Sequence, residues 1–155
     1  MNFLDTLYPR ARAANRRIVL PEGQDPRVIR AAIQISRDKL ATPLVLATPA
    51  EREAAEAQAG DTLAAHGIEA LDYTSAPITD DLAAAFYERR KAKGMTEEEA
   101  ARTIRGQRLY FGNMMLRQRM VDGLVAGSIA STPDMLRAAF HCVGTAKGIS
   151  LASAC

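Results

Sequence analysis

Tryptophan is absent from this chain, and tyrosine and phenylalanine together supply only 5% of its residues. No aromatic residues interleave with basic ones, so nothing offers a stacking platform for nucleic-acid bases. Cysteine occurs twice, at Cys142 and Cys155, with neither Cys-x-x-Cys nor Cys/His spacing. That pattern speaks against a disulfide scaffold and against a zinc site, and the expected setting is a reducing cytoplasm. No stretch approaches the roughly 20 apolar residues of a membrane span. The first residues carry Asp5 and Arg10 in place of an apolar signal segment. Neither sign of charge dominates: 20 Lys and Arg stand against 18 Asp and Glu, a net of +2. That is too small to argue for a polyanion. Neither nucleic acid nor a membrane is therefore an expected partner.

What the chain does have is an ordinary globular composition. Its 155 residues are 48% hydrophobic and 25% charged, enough for one domain with a core that needs no staples. Charge is distributed unevenly. Residues 1–87 hold nine basic and twelve acidic side chains, whereas residues 88–155 hold eleven and six. A basic second half suits an anionic small molecule.

Short apolar runs alternate with helical periods. Phe3 to Ala14 predicts an opening helix, and Arg17-Ile18-Val19-Leu20 a buried strand ended by Pro21 and Gly23. Asp25-Pro26 opens a helix, with aspartate as cap and proline in the first turn. Further strands are expected at Pro43–Leu46, Gly67–Leu71, Gly123–Ala126 and Ile149–Ala152. Helices are expected from Glu51 to Ala59 and from Thr79, with Thr79-Asp80-Asp81 as its cap, to Lys93 before Gly94. Thr96 and Glu99 form a capping box. Arg108 to Val121 and Thr132 to about Val143 complete the set. Strands separated by helices imply βαβ units, so the expected fold is α/β with a mostly parallel sheet and helices on both faces.

Two segments carry candidate chemistry. In Gly127-Ser128-Ile129-Ala130-Ser131-Thr132-Pro133, a strand end meets a helix start, where backbone N–H groups and hydroxyls suit phosphate. Arg137 lies just over one turn into that helix and can lean back toward its start. In Tyr87 to Thr96, four cations crowd a helix end. Leu82 and Phe86 face the core, so Arg90 borders the buried stripe, while Arg89 is expected to be a solvated charge. Capping and macrodipole complementarity would account for both segments without any ligand. A third loop, Pro21-Glu22-Gly23-Gln24-Asp25-Pro26-Arg27, lacks the glycine pattern of a nucleotide site and reads as turn and cap. His66 and His141 have no partner at ligand spacing and read as structural or exposed. Cys142 reads as a small core residue.

These residues resemble the phosphate acetyltransferase family. The likeness runs through Arg17-Ile18-Val19-Leu20-Pro21-Glu22-Gly23, Arg90-Lys91-Ala92-Lys93-Gly94-Met95-Thr96, Tyr110-Phe111-Gly112, Asp122 to Gly127, and Ser131-Thr132 with Arg137 and Gly144-Thr145. The resemblance implies a fold similar to the isocitrate and isopropylmalate dehydrogenases, with two α/β domains around a cleft. It implies interconversion of acetyl-CoA plus phosphate with CoA plus acetyl phosphate. Arg90 and Arg137 look like the family's two cleft arginines, with Ser131, Thr132 and Ser128 on the phosphate side. Coenzyme A would be a substrate, with no tightly bound cofactor and no metal, and the complete enzyme would be a homodimer. Ala130 and Ala138 depart from the family pattern and leave open a phosphate butyryltransferase or a related acyltransferase. The chain is expected to be an N-terminal portion. Residues 1–145 would form a first domain lacking its last helices, and residues 146–155 would begin a second. Alone it is expected to be inactive, the alternative being a non-catalytic remnant that binds an anion or a partner.

Overall fold

The computed structural model describes residues 2–149. The strand expected over Ile149–Ala152 and the position of Cys155 lie outside the described residues, except for Ile149, which is not in a strand. Strands β1 (Arg17–Leu20), β2 (Thr42–Leu46), β3 (Glu69–Leu71) and β4 (Gly123–Leu124) form one parallel sheet in the order β3-β2-β1-β4. Successive strand residues point to opposite faces, and the core divides accordingly. Val19, Leu44 and Leu46 join one apolar cluster, and their neighbours Leu20 and Val45 join another. Helices α2 (Pro26–Arg37) and α3 (Pro49–Ala59) cover the second face through Ile29, Ala32, Ile33 and Ala55. The first face is covered by α4 (Thr79–Arg90), α5 (Glu97–Gly106), α6 (Arg108–Arg117) and α7 (Thr132–Cys142), with Leu82, Phe86, Ile104, Phe111 and Met114 fully buried. The α/β fold with a parallel sheet and helices on both faces is therefore present. The opening helix α1 (Phe3–Ala14) buries none of its residues and is tied down by Arg12 Nε donating to the carbonyl of Asp38.

Local chemistry places most boundaries. Asp25 accepts from the N–H of Arg27 at the start of α2, and the Thr48/Glu51 and Thr96/Glu99 capping boxes open α3 and α5. Several boundaries differ from expectation, among them the start of α3 at Pro49, the start of β3 at Glu69 and the end of α4 at Arg90. Thr79 is not a cap: Ile78 precedes the helix without a side-chain bond, and the Thr79 hydroxyl is buried inside the first turn without a partner. α6 stops at Arg117, because Arg119 takes a left-handed φ of 59° and turns the chain toward β4. β4 ladders over two residues only, its last backbone bond running from Val125 N–H to the carbonyl of Val19.

The chain runs outward from β1 through β2 to β3, then crosses to add β4 on the other side of β1. Strand order thus reverses between β1 and β4. In open α/β sheets, the crevice for ligands lies beyond the carboxyl ends of the strands at such a reversal. Here those ends are the loop at Pro21–Gly23 and the segment 125–131.

Candidate functional site

Glu22 organises this crevice. It is 3% exposed, and its carboxylate accepts the backbone N–H groups of Gly127, Ser128, Ile129 and Ala130 at 2.7, 2.9, 3.0 and 2.7 Å. Consecutive N–H groups turned inward make an anion-binding nest, and in this chain the anion is the protein's own carboxylate. Burial alone would raise the Glu22 pKa, but the four N–H donors outweigh it and hold the group below its ordinary value. The Ser128 hydroxyl also donates to Glu22, at 3.1 Å. Ser128 was expected among the phosphate-side hydroxyls. In the structure its hydroxyl points to the Glu22 carboxylate and joins the nest. Arg27 completes the clamp, chelating Asp25 and donating to the carbonyl of Ser128 at 2.7 Å. The side-chain hydrogen bonds from Arg27 to Asp25 outweigh burial, which alone would raise the pKa, and with the Arg27 N–H they pull the Asp25 carboxyl down to about 2.

Held in this way, the loop delivers the start of α7. Ser131, not Thr132, is the cap: its hydroxyl accepts from the N–H of Asp134 and donates to the Asp134 carboxylate at 2.6 Å. Thr132 occupies the first helical position and is exposed. Arg137 reaches back along the helix as expected and meets Asp134 at 3.1 Å, with 58% of its side chain exposed. Asp134 therefore sits beside both the cap hydroxyl and the arginine. Ala130, Asp134 and Arg137 line one side of a hollow of about 280 Å³, and Tyr73 with residues 106–110 lines the other. Helix α6 also begins there, with Gln107 as a cap that makes no side-chain bond. Two helix starts thus face one hollow, and their partial positive charges add. Arg108 stands in the same wall but is engaged. It binds Glu51 and Gln24, donates to the Tyr73 hydroxyl at 3.0 Å and lies 5.0 Å from that ring's centroid. Arg137 is the freer of the two cations.

The two arginines at the end of α4 have unlike roles. Arg89 is not a solvated charge. Its Nε and Nη2 donate to the carbonyls of His141 and Val143 at 2.9 and 3.0 Å, capping the end of α7. Arg90 follows the buried stripe of Leu82 and Phe86, both fully buried, and its Nε is buried with no hydrogen-bond partner among the described residues. A buried N–H in that state is poised for an acceptor. Arg90 lines a hollow of about 470 Å³ with Lys93, Gly94, Met95 and Glu99, distinct from the one at Arg137. Tyr110, packed edge-on against Phe86, lies 3.1 Å from Nδ1 of His141, and the charges of Arg90 and Arg137 both act on that imidazole. His141 is thus partnered, and burial followed by the two arginine charges holds it below its ordinary pKa. Cys142, on the same turn, is fully buried and its thiol is pushed up to about 12 by burial, which makes it an inert core group.

Sequence reading missed Glu22, Arg108 and the Tyr110–His141 pair. The Glu22 bonds span 105 to 108 residues, so no local pattern could carry them. Among the described residues, no cluster of His, Cys, Asp and Glu could hold a metal ion, and no helix is long and apolar enough to cross a membrane.

Comparison with known proteins gives this arrangement a family. The family model described as phosphate acetyl/butaryl transferase matches residues 2–155. The chain is 38% identical over 154 residues to the phosphate acetyltransferase of Thermoanaerobacterium thermosaccharolyticum, covering 99% of this chain and 45% of that protein. It is 38% identical over 143 residues to the phosphate acetyltransferase of Escherichia coli K12, covering 92% and 20%. Among solved structures, the EutD phosphotransacetylase from Staphylococcus aureus superposes with a TM-score of 0.85 at 33% identity, over 96% of this chain and 44% of that one. A phosphotransacetylase from Streptococcus pyogenes gives a TM-score of 0.83 at 32% identity, over 97% and 46%. The chain spans less than half the length of these proteins, and over that span both sequence and overall fold agree: it belongs to the phosphate acetyl/butaryl transferase family.

Proposed function

We propose that this chain is the phosphate-side part of a phosphate acetyltransferase, which interconverts acetyl-CoA plus phosphate with CoA plus acetyl phosphate. The observation that carries this reading is Arg137 on the wall of the hollow at the start of α7, half-exposed and paired with the exposed Asp134. In the reaction, the CoA thiolate attacks the acetyl carbonyl carbon, the bond from that carbon to the phosphate oxygen breaks, and phosphate leaves with the electron pair. Negative charge grows on the carbonyl oxygen and on the phosphate. Arg137 and Arg90 meet that charge, and Ser131 and Thr132 donate to phosphate oxygens. A carboxylate outside this chain takes the thiol proton. Ser128 acts through the loop it fixes. CoA is a substrate, and no tightly held cofactor enters the scheme.

The relatives' greater length supports a second α/β domain closing on this one in the manner of the isocitrate and isopropylmalate dehydrogenases. Residues 1–145 would belong to the first domain and residues 146–155 would begin the second. A homodimer in the cytoplasm completes the reading. The family description also covers butyryl transfer, but the relatives compared here are phosphate acetyltransferases, which favours the acetyl group. The test is an assay of thioester formation from acetyl phosphate and CoA, with this chain and with a form extended to the relatives' length. The extended form should turn over and this chain should not. Arg137→Gln in the extended form should lower kcat/KM by about ten- to a hundredfold, the worth of one charge-assisted hydrogen bond. Comparable rates from the two lengths, or an unaffected Arg137→Gln variant, would overturn the reading.

A further inference from the structure

The charges of Arg90 and Arg137 both act on His141, which pairs with Tyr110, and the proposed chemistry uses neither member of that pair. His141 lies one helical turn after Arg137 on α7, so the two side chains share a face. Its Nδ1 meets the Tyr110 hydroxyl of α6 at 3.1 Å, and Tyr110 lines the Arg137 hollow. From α4, Arg89 grips the His141 carbonyl and Arg90 stands alongside. On α7 itself, Asp134 lies beyond Arg137 and the buried Cys142 follows His141. The imidazole therefore sits in the positive field of Arg90 and Arg137, and Asp134, on the same helix, is tied to Arg137. A neutral imidazole accepts the Tyr110 proton or donates its own, whereas an imidazolium can only donate to the Tyr110 oxygen.

We propose that Tyr110 and His141 couple anion occupancy of the Arg137 hollow to protonation of the imidazole, so that the protein takes up a proton as it binds phosphate or acyl phosphate. This rests on the anion site proposed above and adds a regulation to it. An anion on Arg137 cancels part of the field at His141, and the imidazole then holds its proton more tightly. By reciprocity the protonated protein binds the anion more tightly by the same factor. Burial and the two arginine charges, which hold the imidazole below its ordinary pKa, leave room for such a rise. With a double negative charge about one helical turn away, screened at an effective dielectric of about 80 because Arg137 is largely in water, the shift should be on the order of one pH unit, about tenfold in affinity.

The test is an NMR titration of the His141 ring between pH 5 and 8, without and with saturating sulfate, an anion that does not itself titrate in that range. Sulfate should raise the His141 midpoint by on the order of one unit, and sulfate affinity should rise about tenfold as pH falls through that midpoint. His141→Gln keeps a polar side chain beside Tyr110 without a titrating group, and should bind sulfate with a flat pH profile. Should sulfate move the Ser131 and Thr132 amides but leave the His141 midpoint in place, the coupling is wrong and the anion site stands. Should it move neither, both are wrong.

Discussion

Replacing Glu22 by glutamine changes one atom and tests the loop architecture. One carboxylate oxygen accepts the N–H groups of Ile129 and Ala130, the other those of Gly127 and Ser128. Whichever oxygen becomes an NH2 group, two backbone donors then face a donor. A hydrogen bond to a charged group contributes roughly 1.5–3 kcal/mol, and a buried donor left unpaired carries its full desolvation cost. Two such losses amount to about 3–6 kcal/mol, a large share of the roughly 5–15 kcal/mol that holds a domain folded. Urea denaturation at neutral pH should show that loss in the Glu22→Gln variant. Amide exchange at 127–130 should accelerate, because those groups lose their acceptor. The pH dependence gives an independent check. Glu22 has a folded pKa below its ordinary value of 4.5. Its contribution is therefore fully present above about 4.5 and disappears as pH falls through the folded value. Glu22→Gln should lack that portion of the acid sensitivity. A variant within about 1 kcal/mol of the parent, with unchanged exchange at 127–130, would refute the reasoning, since it would mean that the nest does not need a charge.

Three further outcomes are expected. Arg89→Gln should lower stability by about 1–3 kcal/mol through loss of the bonds to the His141 and Val143 carbonyls; a thermal melt unchanged from the parent would return Arg89 to the role of a solvated charge. Gly23→Ala would place a Cβ 2.5 Å from Val45 Cγ1 and 2.6 Å from the Leu46 carbonyl oxygen, so it should destabilise by at least about 1–3 kcal/mol in the same melt. Asp25, held down to about 2 by Arg27, should contribute stability above its ordinary value of 3.8 and lose it as pH falls from there toward 2. Denaturant midpoints across that window should fall more steeply for the parent than for Asp25→Asn, which keeps the Glu22 share of the acid sensitivity.

The sequence alone determined what short-range chemistry decides. Pro26 after Asp25, and Thr96 three residues before Glu99, set helix starts through bonds that close within three residues, so their geometry is written into the spacing. The β-branched run Arg17–Leu20 and the apolar Pro43–Leu46 fell in adjacent parallel strands because only a doubly covered sheet buries both of their faces. Leu82 and Phe86 placed Arg90 at a buried edge through helical periodicity. Periodicity could not settle whether Arg89 or Arg90 would be engaged, since adjacent cations at a helix end look alike in sequence. The packing of α7 across α4 decided it, giving Arg89 two carbonyls and leaving the buried Nε of Arg90 without a partner among the described residues. Glu22 looked like a turn residue and Ser128 like a free hydroxyl for the same reason. Their meeting depends on β4 adding beside β1 after the chain has visited β2 and β3. Only that crossing brings two strand ends about a hundred residues apart into one crevice, where a buried carboxylate must find donors and the loop's N–H groups must find an acceptor.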